Sequence, residues 1–253
     1  WLGDGARLGT EARRAAWLGN GARLGTEARR ASVAACTVSV TRRPRDPAGL
    51  VKMQDRRESP KAVPMRFTVA TYNIHKGFTQ LTRRMVIHDL RERLRGLSAD
   101  VLFLQEVQGV HKRNATRYRD WPAGSQHEFL ADSVWHEVAY GKNASYRDGH
   151  HGNALLSRFP IIRQDNENIS AHVFESRGML HCVLNPGPRL PELHCLNVHL
   201  GLFERGRQWQ IHTLVERIRA TVPRHAPLII AGDFNDWRDK ANRALIEDLG
   251  VVE

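Results

Sequence analysis

Apolar residues recur along the chain in short runs separated by polar segments, and their spacing predicts many strands and few helices. The predicted strands are 67–72, 100–105, 137–140, 153–158, 161–169, 178–184, 193–199 and 227–232. The predicted helices are 82–96, 205–221 and 239–249. No element is assigned to the polar, aromatic stretch from residue 107 to about residue 136. Adjacent strands with few intervening helices predict a layered α/β protein with antiparallel or mixed sheets.

Four of these strands end in polar side chains that can carry chemistry. The strand ends hold Asn73, Glu106, His199 and Asp233, and Asn235 follows two residues after the last of them. Turns and helix caps use the same residue types and could explain any one of these positions alone. Because a rigid sheet aims the side chains at its strand ends into one cleft, four such ends predict a ligand site.

The chemistry of this set suits phosphate esters. Glu106 and Asn73 supply hard oxygen ligands for an incompletely coordinated Mg²⁺, with Mn²⁺ as the other ion they could accept. His199 could donate a hydrogen bond to a phosphate oxygen. Asp233 could polarise a water while Asn235 donates to a developing oxyanion. Phosphoryl transfer needs little beyond a metal, positioning and charge neutralisation.

Five ordered motifs carry a family resemblance. They are ATYNIHKGF, ADVLFLQEV, GHHGNALLSRFPI, LNVHLG and IIAGDFNDW. Over roughly residues 66–250 the chain resembles the endonuclease/exonuclease/phosphatase superfamily with its DNase I-like fold, most closely an uncharacterised bacterial branch. The resemblance implies a four-layer α/β/β/α sandwich and divalent-metal-dependent hydrolysis of phosphate esters.

The resemblance also implies a role for each matching residue. Glu106 is expected to be the main metal ligand with Asn73 beside it, and Asn153 and His199 are expected to contact the phosphate. Asp233 and Asn235 are expected to orient water and stabilise the transition state.

Two further residues near these motifs have open assignments. His151 precedes GNALLSR, where it is either an active-site group that binds phosphate or a solvated loop histidine. Arg177 either contacts a substrate phosphate or is an ordinary charge at a strand end.

The chain departs from the family pattern at two places. His75 stands where many members carry an acidic residue, and no Ser-Asp-His motif occurs before Glu253. We therefore expect the domain, residues 65–253, to be an incomplete sandwich, and the 253-residue chain itself could be inactive. A non-catalytic phosphate-binding module stays open as an alternative.

Charge and repeats set the amino-terminal segment apart. Residues 1–64 hold 13 Lys and Arg against 6 Asp and Glu, so they carry most of the net charge of +11. WLGDGARLGTEARRAA is followed by WLGNGARLGTEARRAS, a repeat with little apolar surface, and we expect residues 1–64 to be disordered. Because Met53 and Met65 precede the first predicted strand, we expect residues 1–52 to lie outside the natural product.

Location and substrate follow from composition and motifs together. Three scattered cysteines and the lack of a run of about 18 apolar residues predict a cytoplasmic protein without a transmembrane segment. Nucleic acid is the leading phosphodiester substrate, and a phosphate monoester or a lipid or inositol phosphate is the alternative. Tryptophans could stack on bases or belong to the core, namely Trp121, Trp135, Trp209 and Trp237. The oligomeric state is left open.

Overall fold

A computed structural model of the chain describes residues 15–18, 33–40, 65–79, 81–188, 190–236 and 240–249, with the backbone alone for 15–18, 33–40 and 240–243. The strands in these ranges are β1 (Ala15–Leu18), β2 (Val33–Val40), β3 (Met65–Asn73), β4 (Val101–His111), β5 (Glu137–Tyr146), β6 (Gly149–Ser157), β7 (Ile161–Asn168), β8 (Gly178–Leu184), β9 (Leu193–His199) and β10 (Leu228–Asp233). The helices are α1 (Ile87–Gly96), α2 (Lys112–Arg117), α3 (Gln126–Ala131), α4 (Glu204–Thr221) and α5 (Lys240–Leu249). A 3₁₀ turn spans His75–Gly77.

The strands form two mixed sheets of five strands each. Sheet I has the order β2-β3-β4-β6-β5, and sheet II has the order β1-β10-β9-β8-β7. In sheet I, β3 runs parallel to β4 with Asn73 beside Gln105. In sheet II, β9 runs parallel to β10 with His199 beside Asp233. Because parallel neighbours end at the same edge of a sheet, each sheet presents two polar strand ends together.

Three apolar clusters separate the layers. Phe103 of sheet I and Ile229 of sheet II belong to the cluster between the two sheets. Leu94 of α1 packs with the outer face of sheet I, and Ile218 of α4 packs with the outer face of sheet II. The order is therefore helix, sheet, sheet, helix, which confirms the predicted four-layer α/β/β/α sandwich with mixed sheets.

Most predicted elements lie close to the observed ones, but some differ. Helix α1 begins at Ile87 and not at residue 82, because Met85 pairs with Phe78 in an isolated β-bridge. Strands β4, β5 and β6 are longer than predicted, since their pairing continues to Tyr146 opposite Gly149. Helices α2 and α3 lie in the stretch without assigned elements, and a Ser125–Glu128 capping box begins α3.

Two stretches of the amino-terminal segment form strands. Strand β1 pairs parallel to β10, and β2 pairs antiparallel to β3, so each is the edge strand of a sheet. Backbone hydrogen bonds to a preformed neighbour stabilise such strands even where their own sequence is only weakly apolar. The rest of residues 1–64 lies outside the described residues. Among the helices described, none combines the length and the apolar content that a bilayer span requires.

Candidate active site

Asn73, at the end of β3, joins the two sheets at the site. Its Nδ2 donates a hydrogen bond to Asp233 Oδ2 at 2.9 Å and a longer one to Glu106 Oε1 at 3.3 Å. Its Oδ1 accepts a hydrogen bond from the backbone N–H of His75 at 3.0 Å, which fixes the orientation of the amide. One neutral side chain therefore holds two carboxylates, from β4 in sheet I and β10 in sheet II, next to each other.

Glu106 reaches this position through a β-bulge. Two residues of β4, Gln105 and Glu106, oppose the single residue Asn153 of β6. Glu106 has a φ of +54°, a conformation that costs a non-glycine residue roughly 1–2 kcal/mol. In a regular strand Glu106 would share the face of Leu104 and point into the helix layer. The bulge turns its carboxylate into the site, and the strain fits a functional role.

Buried amides connect the sheets directly behind the carboxylates. Gln105 Nε2 donates to Asn197 Oδ1 at 2.8 Å. Asn197 Nδ2 in turn donates to the carbonyl oxygens of Leu104 at 3.0 Å and Ala154 at 2.8 Å. Both amide side chains are almost fully buried, so these bonds fix how the strand ends of sheet II face those of sheet I.

Asn153 takes part in the same connection. It is buried, and its Nδ2 donates to the carbonyl oxygens of Gly178 at 3.0 Å and Asn197 at 3.2 Å. Its Oδ1 has no hydrogen-bond partner among the residues that the structure describes. An amide oxygen accepts hydrogen bonds and does not donate to an anion. The phosphate contact expected for Asn153 therefore stays a prediction, and the observed contacts are structural.

His199 and Asp233 are neighbours across parallel strands. The nearest ring nitrogen and carboxylate oxygen, His199 Nε2 and Asp233 Oδ2, are 3.8 Å apart, which exceeds hydrogen-bond distance. Gly232, before the carboxylate, has a φ of +149°, and a Cβ there would lie 1.9 Å from the carbonyl oxygen of Val198. Only glycine lets β10 approach β9 this closely and present Asp233 beside the histidine.

Asn235 lies in the turn that follows β10, with a φ of +48°. Its backbone N–H donates to Asp233 Oδ1 at 3.1 Å, so Asp233 does form the turn contact that its sequence position also predicted. Its Nδ2 donates to the carbonyl oxygen of Leu200 at 2.8 Å. An amide carries two such hydrogens, so this bond leaves capacity for the predicted oxyanion contact.

The Glu106 carboxyl is surrounded by groups that favour its ionised form. Burial raises its pKa, but the charges of His199, Lys76 and His75 and the hydrogen bond from Asn73 together lower the pKa below its ordinary value. Glu106 is therefore a carboxylate at neutral pH.

Burial lowers the pKa of His199 to about 4, and the charge of Arg177 acts in the same direction. Asp233 and Glu106 raise the pKa but do not outweigh these effects. The imidazole is consequently neutral at neutral pH and donates from one ring nitrogen. Arg177, whose Nε lies 3.6 Å from Glu175 Oε1, is near enough to His199 to act on it, so the predicted phosphate-binding arginine borders the site.

Lys76 belongs to the site but was not among the predicted residues. The charge of Lys76 helps to lower the pKa of Glu106, which places its ammonium group near the carboxylate. Its backbone is fixed by a φ of +59° and by a hydrogen bond from Gln126 Nε2 to its carbonyl oxygen at 2.8 Å. The sequence signal was its place between the strand-end Asn73 and Gly77 in a turn.

His151 also borders the carboxylates. Burial lowers its pKa to about 4, the charge of Lys76 adds to the shift, and Glu106 acts against it. Its Nδ1 is buried and has no hydrogen-bond partner within the described ranges. The phosphate contact predicted for His151 is untested, and a neutral ring could make it only as a single N–H donor.

The donor set fits a hydrated divalent cation and does not fit a protein cage. Among the described residues, no group of three or more His, Cys, Asp and Glu side chains could enclose a metal ion. Glu106 is ionised, and Asp233 lies across Asn73 from it. Mg²⁺ commonly takes one or two carboxylates and keeps its remaining waters or phosphate oxygens. Asn73 could coordinate only after its amide rotates, since its oxygen accepts from His75.

Comparison with known proteins places these motifs in one family. The sequence profile of the Endonuclease/Exonuclease/phosphatase family matches residues 70–252. The uncharacterized protein YbhP of Escherichia coli strain K12 is 46% identical over 187 residues, which cover 74% of this chain and 74% of YbhP.

Solved structures share the fold at low identity. The endonuclease/exonuclease/phosphatase from Beutenbergia cavernae DSM 12333 superposes with a TM-score of 0.52 at 20% identity, covering 67% of this chain and 47% of that protein. Sphingomyelinase C from Streptomyces griseocarneus superposes with a TM-score of 0.52 at 18% identity, covering 71% of this chain and 68% of that protein. The aligned part thus spans less than half of the Beutenbergia protein, and these likenesses establish the DNase I-like fold alone.

Proposed function

The chain belongs to the Endonuclease/Exonuclease/phosphatase family, whose members hydrolyse phosphodiester or phosphate ester bonds, and from this premise we propose that it is a divalent-metal-dependent phosphodiesterase that acts on nucleic acid. The single observation that carries the proposal is the Asn73 amide between the Glu106 and Asp233 carboxylates, with neutral His199 beside them.

Each side chain has a part in the proposed reaction. Glu106 would hold the cation, assisted by Asn73, and the bound cation would supply charge neutralisation at a phosphate oxygen. Asp233 Oδ2 would accept a proton from the attacking water. His199, as a neutral N–H donor, and Asn235, through its amide, would stabilise negative charge on the phosphoryl oxygens.

Cations and donors at the rim would position the substrate. Lys76, whose charge lowers the pKa of Glu106, and Arg177, whose charge lowers the pKa of His199, would supply positive charge at the site. His151 would add one N–H donor, and Asn153 would act by holding the sheets together. The cytoplasmic location also stays a prediction, supported by the free thiols of Cys182 and Cys195, which are cross-strand neighbours.

A substrate panel tests the proposal. Purified protein is incubated with single-stranded DNA, RNA, a phospholipid, a sugar phosphate and bis-p-nitrophenyl phosphate, each with Mg²⁺ and each with EDTA. We expect hydrolysis of the diesters that requires the cation and is lost in Asp233→Asn. Equal turnover in EDTA, or no turnover of any ester, would overturn the proposed function.

One observation favours a lipid headgroup as the second candidate substrate. Two loops that adjoin site residues carry exposed apolar side chains: Val173 (90% exposed), Phe174 (96%), Leu202 (66%) and Phe203 (73%). Such side chains could enter a membrane surface beside the site. Cleavage of sphingomyelin or phosphatidylcholine vesicles in preference to the oligonucleotides would select this candidate.

A further inference from the structure

Aromatic rings form a continuous row from the candidate active site across the α2 segment. We call this set the ring row, and its members are His151, Tyr146, His111, Trp121, Tyr118 and Phe78. The ring centroids of His151 and Tyr146 are 5.8 Å apart, those of Tyr146 and His111 are 5.6 Å apart, and those of His111 and Trp121 are 6.4 Å apart. Phe78 then stacks on Trp121 with centroids 5.9 Å apart.

The ring row is attached directly to the strand that carries Glu106. Gln108, two residues after Glu106 on β4, is buried and donates from Nε2 to the hydroxyl oxygen of Tyr146 at 3.1 Å. At the near end of the row, His151 of β6 pairs with Gln108 of β4, so it lies beside the strand that carries Glu106. The position of Tyr146 relative to the Glu106 carboxylate is thus fixed, and its ring is the next one in the row after His151.

The rings are accessible and not part of the core. Tyr146 is 38% exposed, and the other five members are half-buried. Trp135 provides the contrast, since it is 3% exposed and its indole N–H donates to the carbonyl oxygen of Ala99. Packing alone would account for rings that tie α2 to the β5–β6 hairpin, but it would bury their faces more completely.

Basic residues flank the ring row in the sequence. The acidic residues next to members of the row in the sequence are the exposed Asp120 and the half-buried Asp148. The exposed basic residues next to its members are more numerous, namely Lys112, Arg113, Arg117, Arg119 and Arg147. Arg117 lies over the Tyr118 ring, 5.6 Å from its centroid. Aromatic faces interleaved with cations are the arrangement that binds a single nucleic-acid strand, because bases stack on rings while phosphates meet the charges.

We propose that the ring row is a stacking surface for the unpaired bases of a nucleic-acid strand whose phosphodiester lies at Glu106. This inference rests on the proposed function, and it narrows the substrate to single-stranded or frayed nucleic acid. A duplex keeps its base faces covered and can offer only its backbone to the row.

Binding without hydrolysis tests the surface. The affinity of the 253-residue protein for an end-labelled oligothymidylate and for the matching duplex is measured in EDTA by fluorescence anisotropy. Tyr146→Ala should weaken single-strand binding by about 5- to 150-fold, the loss expected for one base–ring stack. Tyr146→Phe keeps the ring and loses only the hydrogen bond from Gln108, so its loss of affinity should be clearly smaller than that of Tyr146→Ala. Trp209→Ala is the matched control, since it removes a 49%-exposed aromatic residue on α4, outside the row.

Salt dependence gives a second measurement that does not depend on the tyrosine. Lys112→Ala combined with Arg113→Ala should lower the slope of log affinity against log salt for the single strand by about 1.4, or about 0.7 for each lost phosphate contact. An unchanged slope would contradict the claim that Lys112 and Arg113 contact phosphates of the bound strand.

Three results would overturn the stacking surface. They are unchanged single-strand affinity in Tyr146→Ala, equal losses in Tyr146→Ala and Tyr146→Phe, and wild-type binding of the duplex as tight as that of the single strand. Hydrolysis of bis-p-nitrophenyl phosphate by the wild type is measured in parallel. Turnover of this small diester together with one of the three results would refute the ring row and leave the proposed function intact.

Discussion

Replacing Asn73 with alanine removes the group that holds Glu106 and Asp233 together. The 2.9 Å bond to the buried Asp233 carboxylate is worth roughly 1.5–3 kcal/mol, and the 3.3 Å bond to Glu106 is worth less. The bond from the His75 N–H adds about 1 kcal/mol. Since these bonds share one side chain and are not additive, we expect Asn73→Ala to lower the free energy of unfolding by about 2–4 kcal/mol.

The assay for this prediction is urea unfolding at neutral pH in EDTA, with the free energy extrapolated to water. Asn168→Ala is the matched control, because the exposed Asn168 accepts a single hydrogen bond from the Ser170 N–H at 2.9 Å. The control should cost no more than about 1 kcal/mol. A loss below about 0.5 kcal/mol in Asn73→Ala would refute the claim that this amide stabilises the paired carboxylates.

Two further predictions concern Asp233 and His181. Asp233→Asn should lower kcat by on the order of 10² or more with the circular dichroism spectrum unchanged, because the carboxylate accepts a proton in the proposed reaction; an unfolded variant would indicate that its turn contact dominates. Burial, His194 and Arg217 lower the pKa of His181 from 6.5 to about 4, so the folded state binds fewer protons than the unfolded state between these values. The free energy of unfolding therefore has its full value above about pH 6.5 and falls by roughly 1–3 kcal/mol as the pH drops toward 4. His181→Gln should remove this decrease from the pH profile measured by urea unfolding. If the free energy of unfolding of this variant had the same pH dependence as that of the wild type, the decrease could not be assigned to His181.

Much of the site could be predicted from the sequence because each of its residues follows a short apolar run that marks a strand. Apolar runs that stop at Asn73, Glu106, His199 and Asp233 locate strand ends, and parallel neighbours bring such ends together. The structure confirms the four-layer sandwich and brings these four side chains to one edge of the two sheets. The roles assigned to them in catalysis stay predictions.

Features that depend on a partner strand could not be predicted from the sequence. The bulge at Glu106 exists because Asn153 opposes two residues of β4, a register that no run of apolar residues encodes. Asn153 itself was expected at the phosphate, but both its observed donor contacts are to main-chain carbonyls. Strands β1 and β2 form by pairing with β10 and β3, which their own composition did not indicate.

Aromatic residues were ambiguous for a similar reason. Trp121 lies in the ring row and Trp135 in the core, although both occur in the same polar, aromatic stretch. Trp135 packs with residues of α3 and of the β5–β6 hairpin. Helix α3 was not predicted, and the hairpin is longer than predicted. Trp237 lies outside the described residues.

The most direct test of the account is the Mg²⁺ dependence of oligonucleotide hydrolysis by the wild type and by Glu106→Gln. The glutamine keeps the size of the side chain and an oxygen for the Asn73 hydrogen bond, but it removes the charge that a divalent cation requires. We expect Mg²⁺-dependent cleavage by the wild type and a loss of kcat/KM on the order of 10² or more in the variant, with unchanged thermal unfolding in EDTA. Equal cleavage by the two proteins at every Mg²⁺ concentration would contradict the assignment of Glu106 as the carboxylate that holds the metal.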